Sequence, residues 1–215
     1  MADTFGPTQN RTSGAAHPRA PPSTDPQDRI PVSDLPADSY CHASRGHPIH
    51  GPYHDQEYGF PCSDDSDLFE RLVLEINQAG LSWLTILRKR DNFRSAYDRF
   101  DVDAVAVYGQ RERARLLEDA GIVRNRLKVD ATIHNARRIV GLREVFGSFS
   151  GWLDAHHPRS KADWVSLFRK EFRFTGGEIT NEFLLSTGYL RGAHIATCPV
   201  FAEIAALEPP WMAGS

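Results

Sequence analysis

The stretch that decides the fold is DDSDLFERLVLEINQAGLSW, residues 64–83. Its apolar residues recur every three or four positions, which is the period of an amphipathic helix. Those positions are Leu68, Phe69, Leu72, Val73, Ile76 and Ala79. Asp64 and the acidic residues after it suit a helix N-terminus, Gly80 interrupts the helix, and Ser82 can cap another. The stretch therefore predicts two consecutive helices, the second running from Trp83 to about Phe100.

Helical periodicity continues through the rest of the chain. Further helices are predicted over residues 102–108, 112–119, 125–145, 152–153, 164–172 and 178–187. No segment shows a sustained alternation of apolar and polar residues, as a half-buried strand would. Residues 41–61, which are rich in His, Gly and Pro, are predicted to be irregular. The predicted class is all-α.

Composition divides the 215-residue chain into three parts. Seven of the 14 prolines lie between Pro7 and Pro36, in a stretch with little apolar periodicity, so we predict a disordered tail over residues 1–37. Residues 38–207 form the predicted helical domain, and residues 208–215 a C-terminal tail. No apolar run resembles a secretory signal or reaches membrane-spanning length. A cytoplasmic protein with no membrane partner is therefore expected.

Charge and cysteine content narrow the choice of partners. A net charge of -3 gives no overall positive field, so any binding to nucleic acid must use local basic patches. Three cysteines in a chain of this length do not form a disulfide framework. They are expected to be free or bound to a metal.

Two Cys and two His near the ends of the helical region could bind one metal ion. His194 and Cys198 are four positions apart and would share a face if that stretch were helical. Cys41 and His54 lie in the predicted irregular segment. The four would complete a closed tetrahedral zinc site. The spacing leaves two alternatives open, namely ordinary surface His with buried thiols, or ligation by His42, His47 or His50.

Glu75 is an acidic residue on an apolar helix stripe. Leu72 comes four positions after Leu68, Glu75 three positions after Leu72, and Ala79 four positions after Glu75. A carboxylate buried without a partner costs free energy, so such a residue is usually paired or functional. Either a salt bridge to an Arg of a facing helix or a functional role would explain it. The nearby Trp83 could likewise be a core residue or a platform for a ligand.

Several ordered motifs then resemble one family. The segments YHDQEYG (residues 53–59), EINQAGLSW (75–83) and DAGIVRNR (119–126) resemble signatures of the 3-methyladenine DNA glycosylase I family. The F-x-F-x-G and H-x3-C elements between residues 172 and 198 are similar to that family as well. The resemblance covers residues 39–199. It implies a helix-hairpin-helix glycosylase fold and one structural zinc ion. Its implied ligands are Cys41, His54, His194 and Cys198.

The resemblance also implies how DNA would be bound. The hairpin would be Asp119–Lys128, in which Gly121 lets backbone N–H groups approach a phosphate. Arg124, Arg126 and Lys128 would supply the local positive charge. The partner would be double-stranded DNA containing alkylated bases, bound by a monomeric, bacterial-type protein.

A base in the duplex must be flipped out before it is excised. Leu81, at the Gly80 corner, would fill the gap that the base leaves. Trp83 would present an aromatic face to the cationic base, Glu75 would bind its edge and stabilise its charge, and Tyr53 would add a hydroxyl contact. The implied activity is hydrolysis of the N-glycosidic bond of alkylated purines, chiefly 3-methyladenine.

A lyase reaction would need an amine nucleophile, and neither Lys89 nor Lys128 is predicted to face inward, so the enzyme is expected to be monofunctional.

Three positions depart from the family pattern: Ala43 stands where a Trp is usual, His50 where a Tyr is usual, and Tyr58 replaces the Trp of the YHD signature. The alternatives are a lesion-binding protein without turnover and a small helical zinc protein with solvated basic clusters. Release of free 3-methyladenine from methylated DNA distinguishes the first hypothesis from both.

Overall fold

The computed structural model describes residues 35–213, and most of the predicted N-terminal tail lies outside these residues. Within that range the chain is helical and contains no strand, as predicted. The helices are α1 (Tyr40–Ser44), α2 (His50–Gln56), α3 (Asp65–Gln78), α4 (Trp83–Ala96), α5 (Val102–Ala106), α6 (Gln110–Glu118), α7 (Arg126–Phe146), α8 (Phe149–His156), α9 (Lys161–Glu171), α10 (Gly177–Ser186) and α11 (Pro199–Ala205).

Local capping explains where α3 and α4 begin. The Asp64 side chain accepts hydrogen bonds from the backbone N–H groups of Ser66 and Asp67, and the Ser82 side chain accepts one from Thr85. The predicted end of α4 is wrong by one turn, because the helix stops at Ala96 and three residues with positive φ follow, Asp98 to Phe100. That turn directs the Phe100 ring into the core, where it is fully buried.

One large core lies between α3, α7, α8 and α10. α3 packs against α4, α7, α8 and α10, and α7 packs against α5 and α8. The largest fully buried side chains are aromatic, and they include Trp152, Trp164, Tyr97, Phe69, Phe93, Phe149, Phe168 and Phe183. Burial of each such side chain contributes on the order of 2 kcal/mol, so this core fixes α3 firmly. α3 is the helix that carries Glu75.

A second apolar cluster joins the two ends of the described chain. Its buried members are Leu35, Cys41, Phe60, Cys198, Val200 and Ile204. The prediction that residues 41–61 are irregular is wrong, since α1 and α2 lie there. Leu35 and Trp211, which the sequence assigned to the two tails, are both packed. Leu35 is buried in this cluster, and the Trp211 ring stacks on Phe201.

None of the helices within residues 35–213 has both the length and the apolar character needed to cross a membrane.

Candidate functional site

Glu75 faces inward from α3, as its spacing predicted. It is 5% exposed, and within residues 35–213 neither a hydrogen-bond donor nor an ion-pair partner meets its carboxylate. Arg71, the nearby positive charge, instead donates to the backbone carbonyls of Glu57 and Ser186. Burial, with repulsion from Glu182, raises the pKa of Glu75 to about 8. The salt-bridge alternative is therefore not what the structure contains, and Glu75 is an unpartnered buried carboxylate.

Aromatic rings surround this carboxylate. The Tyr53 ring on α2 lies 5.2 Å from the Trp83 ring at the start of α4 and 5.7 Å from the Tyr58 ring. The Tyr40 ring on α1 lies 5.3 Å from Tyr58. Burial and the Glu75 charge raise the pKa of Tyr53, so its hydroxyl stays protonated. The helices α1, α2, α3 and α4 thus bring the three predicted pocket residues, Tyr53, Glu75 and Trp83, together.

The pocket wall also contains residues that the sequence reasoning missed. The Tyr58 hydroxyl donates to Glu182 Oε2 at 3.2 Å, and the Tyr40 hydroxyl lies 3.0 Å from His50 Nδ1. Ala43 is exposed. Glu182 carried no signal in the sequence, because it becomes a pocket neighbour only when α10 packs on α3. Of the three positions that depart from the family pattern, Tyr58 and His50 therefore bring polar groups to this side of the pocket, and Ala43 does not.

The corner between α3 and α4 presents an apolar side chain to solvent. Gly80 has φ +83°, a backbone conformation that favours glycine, and a side chain there would contact nothing within 4 Å. Leu81 is 42% exposed, and its N–H donates to the carbonyl of Gln78 at 2.7 Å. An exposed leucine on an anchored corner beside a pocket is available for a partner.

The segment between α6 and α7, residues 119–125, contains a turn at Ala120 and Gly121. The Gly121 N–H donates to Asp119 Oδ1 at 2.7 Å, so it is not available to a phosphate. A Cβ at Gly121 would lie 2.9 Å from that oxygen and 3.1 Å from Asn92, so a side chain there would force its neighbours to shift. Among the described residues, nothing accepts a hydrogen bond from the N–H groups of Val123 and Arg124. These two groups are therefore open donors of the turn, as is the N–H of Ala120.

The basic residues of this region differ in their exposure to solvent. Arg124 and Arg126 are exposed, as predicted. Lys128 is 5% exposed, and its Nζ donates to the carbonyls of Asn77 at 2.9 Å and Ala79 at 2.7 Å. The prediction that Lys128 offers surface charge, and does not face inward, is therefore wrong. The sequence could not show this, because the accepting carbonyls lie about fifty residues earlier in the chain.

Two other groups of basic residues, one on α4 and one on α7, mostly make hydrogen bonds and ion pairs within the protein. Arg90 donates to the carboxylates of Glu57 and Glu70, and Lys89 Nζ donates to the carbonyls of Ala120 and Gly121. In the same way, Arg137 and Arg138 bind backbone carbonyls and a carboxylate, those of Ala106, Tyr108 and Glu171. These clusters stabilise helix contacts and leave little charge for a partner.

The four predicted metal ligands come together where the two ends of the described chain meet. The ligand atoms of Cys41, His54, His194 and Cys198 all lie within 4.8 Å of one another, and all four residues are buried. Cys198 Sγ lies 3.6 Å from His194 Nδ1 and 3.8 Å from His54 Nε2. The stretch from His194 to Cys198 is not helical; a turn from Ile195 brings Cys198 back to the cluster. His42, His47 and His50 do not belong to it.

The surroundings of this cluster fit a tetrahedral metal. Zinc bonded to sulfur and nitrogen at its usual lengths separates neighbouring ligand atoms by about 3.6 Å, close to the separations here. The second ring nitrogen of each His is occupied: His54 Nδ1 contacts Asp55 Oδ1, and His194 Nε2 contacts the Tyr58 carbonyl, each at 2.7 Å. Such outer partners orient the imidazoles of metal sites.

The fold and the pocket define the class of protein. The structure is similar to a solved 3-methyladenine DNA glycosylase I from Staphylococcus aureus, with 29% identity and a TM-score of 0.67 over 75% of this chain and 95% of the other. It is equally similar, at 28% identity and TM-score 0.67, to a 3-methyladenine DNA glycosylase I solved in complex with 3-methyladenine, covering 75% of this chain and 96% of the other. The class is that of the helical DNA glycosylases.

Sequence comparison identifies the family within this class. Residues 43–202 match the methyladenine glycosylase family model. The chain is 35% identical to DNA-3-methyladenine glycosylase 1 of Escherichia coli (strain K12) over 170 residues, 70% of this chain and 90% of the relative. It is 31% identical to DNA-3-methyladenine glycosylase of Haemophilus influenzae, over 70% of this chain and 91% of the relative. The chain belongs to the methyladenine glycosylase family.

Proposed function

We propose that this protein is a DNA repair glycosylase that hydrolyses the N-glycosidic bond of alkylated purines in double-stranded DNA, chiefly 3-methyladenine. The observation that carries the proposal is the unpartnered, buried carboxylate of Glu75 in an aromatic pocket. Family membership supports the same activity, since the Escherichia coli and Haemophilus influenzae relatives are named as DNA-3-methyladenine glycosylases.

The pocket suits a flipped, cationic base. An alkylated purine of this kind carries positive charge, which an aromatic face attracts and a carboxylate binds. Trp83 would supply the face, Glu75 would accept hydrogen bonds from the base edge, and the Tyr53 hydroxyl would add a polar contact. Neutral adenine would gain less binding free energy from the same groups, so the pocket would distinguish the alkylated base from adenine by its charge.

The chemical step then needs modest assistance. The bond from C1′ of the sugar to N9 of the base breaks, and its electron pair leaves with the base, which neutralises the positive charge. Water adds to C1′ and loses a proton. Glu75 would act by electrostatic stabilisation of the positive charge that develops as the bond breaks. No other buried carboxylate near the pocket lacks a partner among the described residues, so we assign no separate general base.

The lysines support a monofunctional enzyme. A lyase needs a free amine that attacks the sugar. Lys128 and Lys89 each hold their ammonium group between two backbone carbonyls, so neither amine is free to attack.

DNA would be held on the side of Leu81 and the α6–α7 turn. We assign this turn as the hairpin of a helix-hairpin-helix motif, in which the N–H groups of Val123 and Arg124 would donate to a phosphate and the side chains of Arg124 and Arg126 would add charge. Leu81 would occupy the gap left by the flipped base. A monomer suffices for this arrangement, and the cytoplasmic, DNA-associated location stays a prediction.

We further propose that Cys41, His54, His194 and Cys198 bind one structural zinc ion. The closed set of four ligands leaves no position for a substrate, so the ion would stabilise the fold and take no part in the reaction. The buried, outer-bonded imidazoles and the ligand separations described above support this assignment.

The decisive experiment measures free 3-methyladenine released from methylated duplex DNA. We expect release by the wild type, a decrease of about 100-fold for Glu75→Gln, and no change for Glu178→Gln, whose carboxylate is 89% exposed on α10. Equal release by Glu75→Gln and wild type would contradict the assigned role. Lesion-specific binding without release would favour the alternative of a non-catalytic lesion-binding protein.

A further inference from the structure

Lys128 is the buried cation nearest the corner that carries Leu81. It lies in the first turn of α7, directly after the α6–α7 turn, and Asn125 caps the start of that helix. Its Nζ reaches across to α3 and donates hydrogen bonds to the carbonyls of Asn77 and Ala79. These carbonyls belong to the last turn of α3 and to the residue just before Gly80.

The chemistry of this contact favours a fixed corner. The last carbonyls of a helix have no intrahelical partners and carry partial negative charge, so an ammonium group there satisfies two of them at once. The centre of the Phe174 ring lies 5.9 Å from the same Nζ, within the range of a cation–π contact. Burial lowers the pKa of Lys128, whereas donation to two carbonyls favours its charged ammonium form.

We infer that Lys128 is a positioning residue that ties the DNA-binding turn to the Gly80–Leu81 corner, so that phosphate binding at one holds the base-flipping wedge at the other. Lys128 itself does not contact DNA. This inference rests on the proposed function for the role of Leu81, although the tie between α7 and α3 does not.

The structural half of the inference is tested without DNA. In Lys128→Met, backbone amides of residues 79–83 should exchange hydrogen at least tenfold faster than in the wild type, while Lys128→Arg, which can still donate to both carbonyls, restores most of the protection. Lys161→Met, which removes an exposed lysine from α9, serves as the control and should exchange like the wild type. Unchanged exchange at residues 79–83 in Lys128→Met would overturn the inference even if the protein showed no glycosylase activity.

The functional half compares affinity with excision. A phosphate contact would lower the slope of log affinity against log salt concentration by about one on removal, as we expect for Arg126→Met. For Lys128→Met we expect the slope to stay as in the wild type and the single-turnover excision rate at saturating enzyme to fall about 10- to 100-fold. A slope reduced by one, with an unchanged excision rate, would show that Lys128 binds phosphate and would refute the positioning role.

A double-mutant cycle separates positioning from general destabilisation. If Lys128 acts through Leu81, Lys128→Met should lower the excision rate by less than about threefold when it is introduced into the Leu81→Ala variant. Equal losses in both backgrounds would indicate a stability effect and would overturn the inference. Should Lys128→Met fail to fold, Lys128→Arg carries the same cycle, with intermediate losses. Wild-type release of 3-methyladenine in the same assay shows separately whether the proposed function holds.

Discussion

At the scale of single residues, Glu75 shows a conflict between stability and function. Its pKa is raised from 4.5 to about 8, so the folded protein binds a proton that the unfolded chain releases at lower pH. Stability from this group is therefore complete below pH 4.5 and is lost as the pH rises through 8. A shift of this size corresponds to a loss of about 3–5 kcal/mol. A residue that costs so much free energy at neutral pH is typical of a functional site.

We therefore predict that Glu75→Gln is more stable than the wild type above pH 8, by about 2 kcal/mol or more, although it excises less base. The physical reason is that the amide carries no charge to bury. Urea unfolding of both proteins at pH 5, 7 and 9 measures the difference, which should grow with pH. Groups common to both proteins cancel in this comparison.

Glu182→Gln provides the matched control for the same experiment. It removes the carboxylate that repels Glu75, so the pKa of Glu75 should fall and the pH-dependent loss of stability should become smaller. If the stability difference between Glu75→Gln and the wild type were constant from pH 5 to pH 9, Glu75 would not titrate in this range and the buried carboxylate would need another explanation.

At the scale of elements, the sequence predicts features that depend on local residues, such as helix starts, and does not predict those that depend on tertiary packing. α3 follows from the spacing of its leucines and from Asp64, because both act within the helix. α1 and α2 were missed because they are short and because Cys41 on α1 and His54 on α2 meet His194 and Cys198, which lie far away in the sequence. The pocket residues on α3 and α4 were predicted, whereas Glu182 entered the site only through packing. Burial of a charged residue against distant carbonyls, as for Lys128, leaves no local pattern.

The α6–α7 turn makes a prediction at the same scale. In Gly121→Ala the new Cβ would lie 2.9 Å from Asp119 Oδ1 and 3.1 Å from Asn92, so the turn must shift away from α4. Overpacking of this kind costs about 1–3 kcal/mol. Because the open N–H groups of Val123 and Arg124 move with the turn, affinity for duplex DNA should fall about tenfold. Fluorescence anisotropy at fixed salt concentration measures this.

Gly177→Ala is the matched control, since a Cβ at Gly177 meets nothing within 4 Å. It should leave both affinity and stability close to those of the wild type. An affinity of Gly121→Ala equal to that of the wild type would indicate that the turn does not bind DNA, and the helix-hairpin-helix assignment would fail with it.

At the scale of the whole molecule, the cluster of two Cys and two His connects parts of the chain that the main core does not. Cys41 and His54 lie on α1 and α2, whereas His194 and Cys198 belong to the segment before α11. Four apolar residues of the described chain, Leu35, Phe60, Val200 and Ile204, form with the two cysteines a small buried cluster that is separate from the large core. Such a cluster is too small to hold α1 and α2 firmly, and α2 carries Tyr53. A metal ion would therefore stabilise one wall of the pocket as well as the chain ends.

The last prediction concerns this ion. Chelation, or Cys198→Ser, should lower the free energy of unfolding by several kcal/mol, since structural zinc contributes on the order of 10 kcal/mol in small domains, and only part of this fold depends on it. Unfolding followed by circular dichroism, together with metal analysis, measures both. Cys62→Ser is the control, because Cys62 lies outside the cluster. This variant should keep one zinc ion per chain. Base release should fall with zinc loss, because α2 would no longer hold Tyr53 against Trp83. A purified protein with well under one zinc per chain and undiminished stability after Cys198→Ser would refute the zinc proposal, and it would leave the hydrogen-bonded cluster itself as the link between the chain ends.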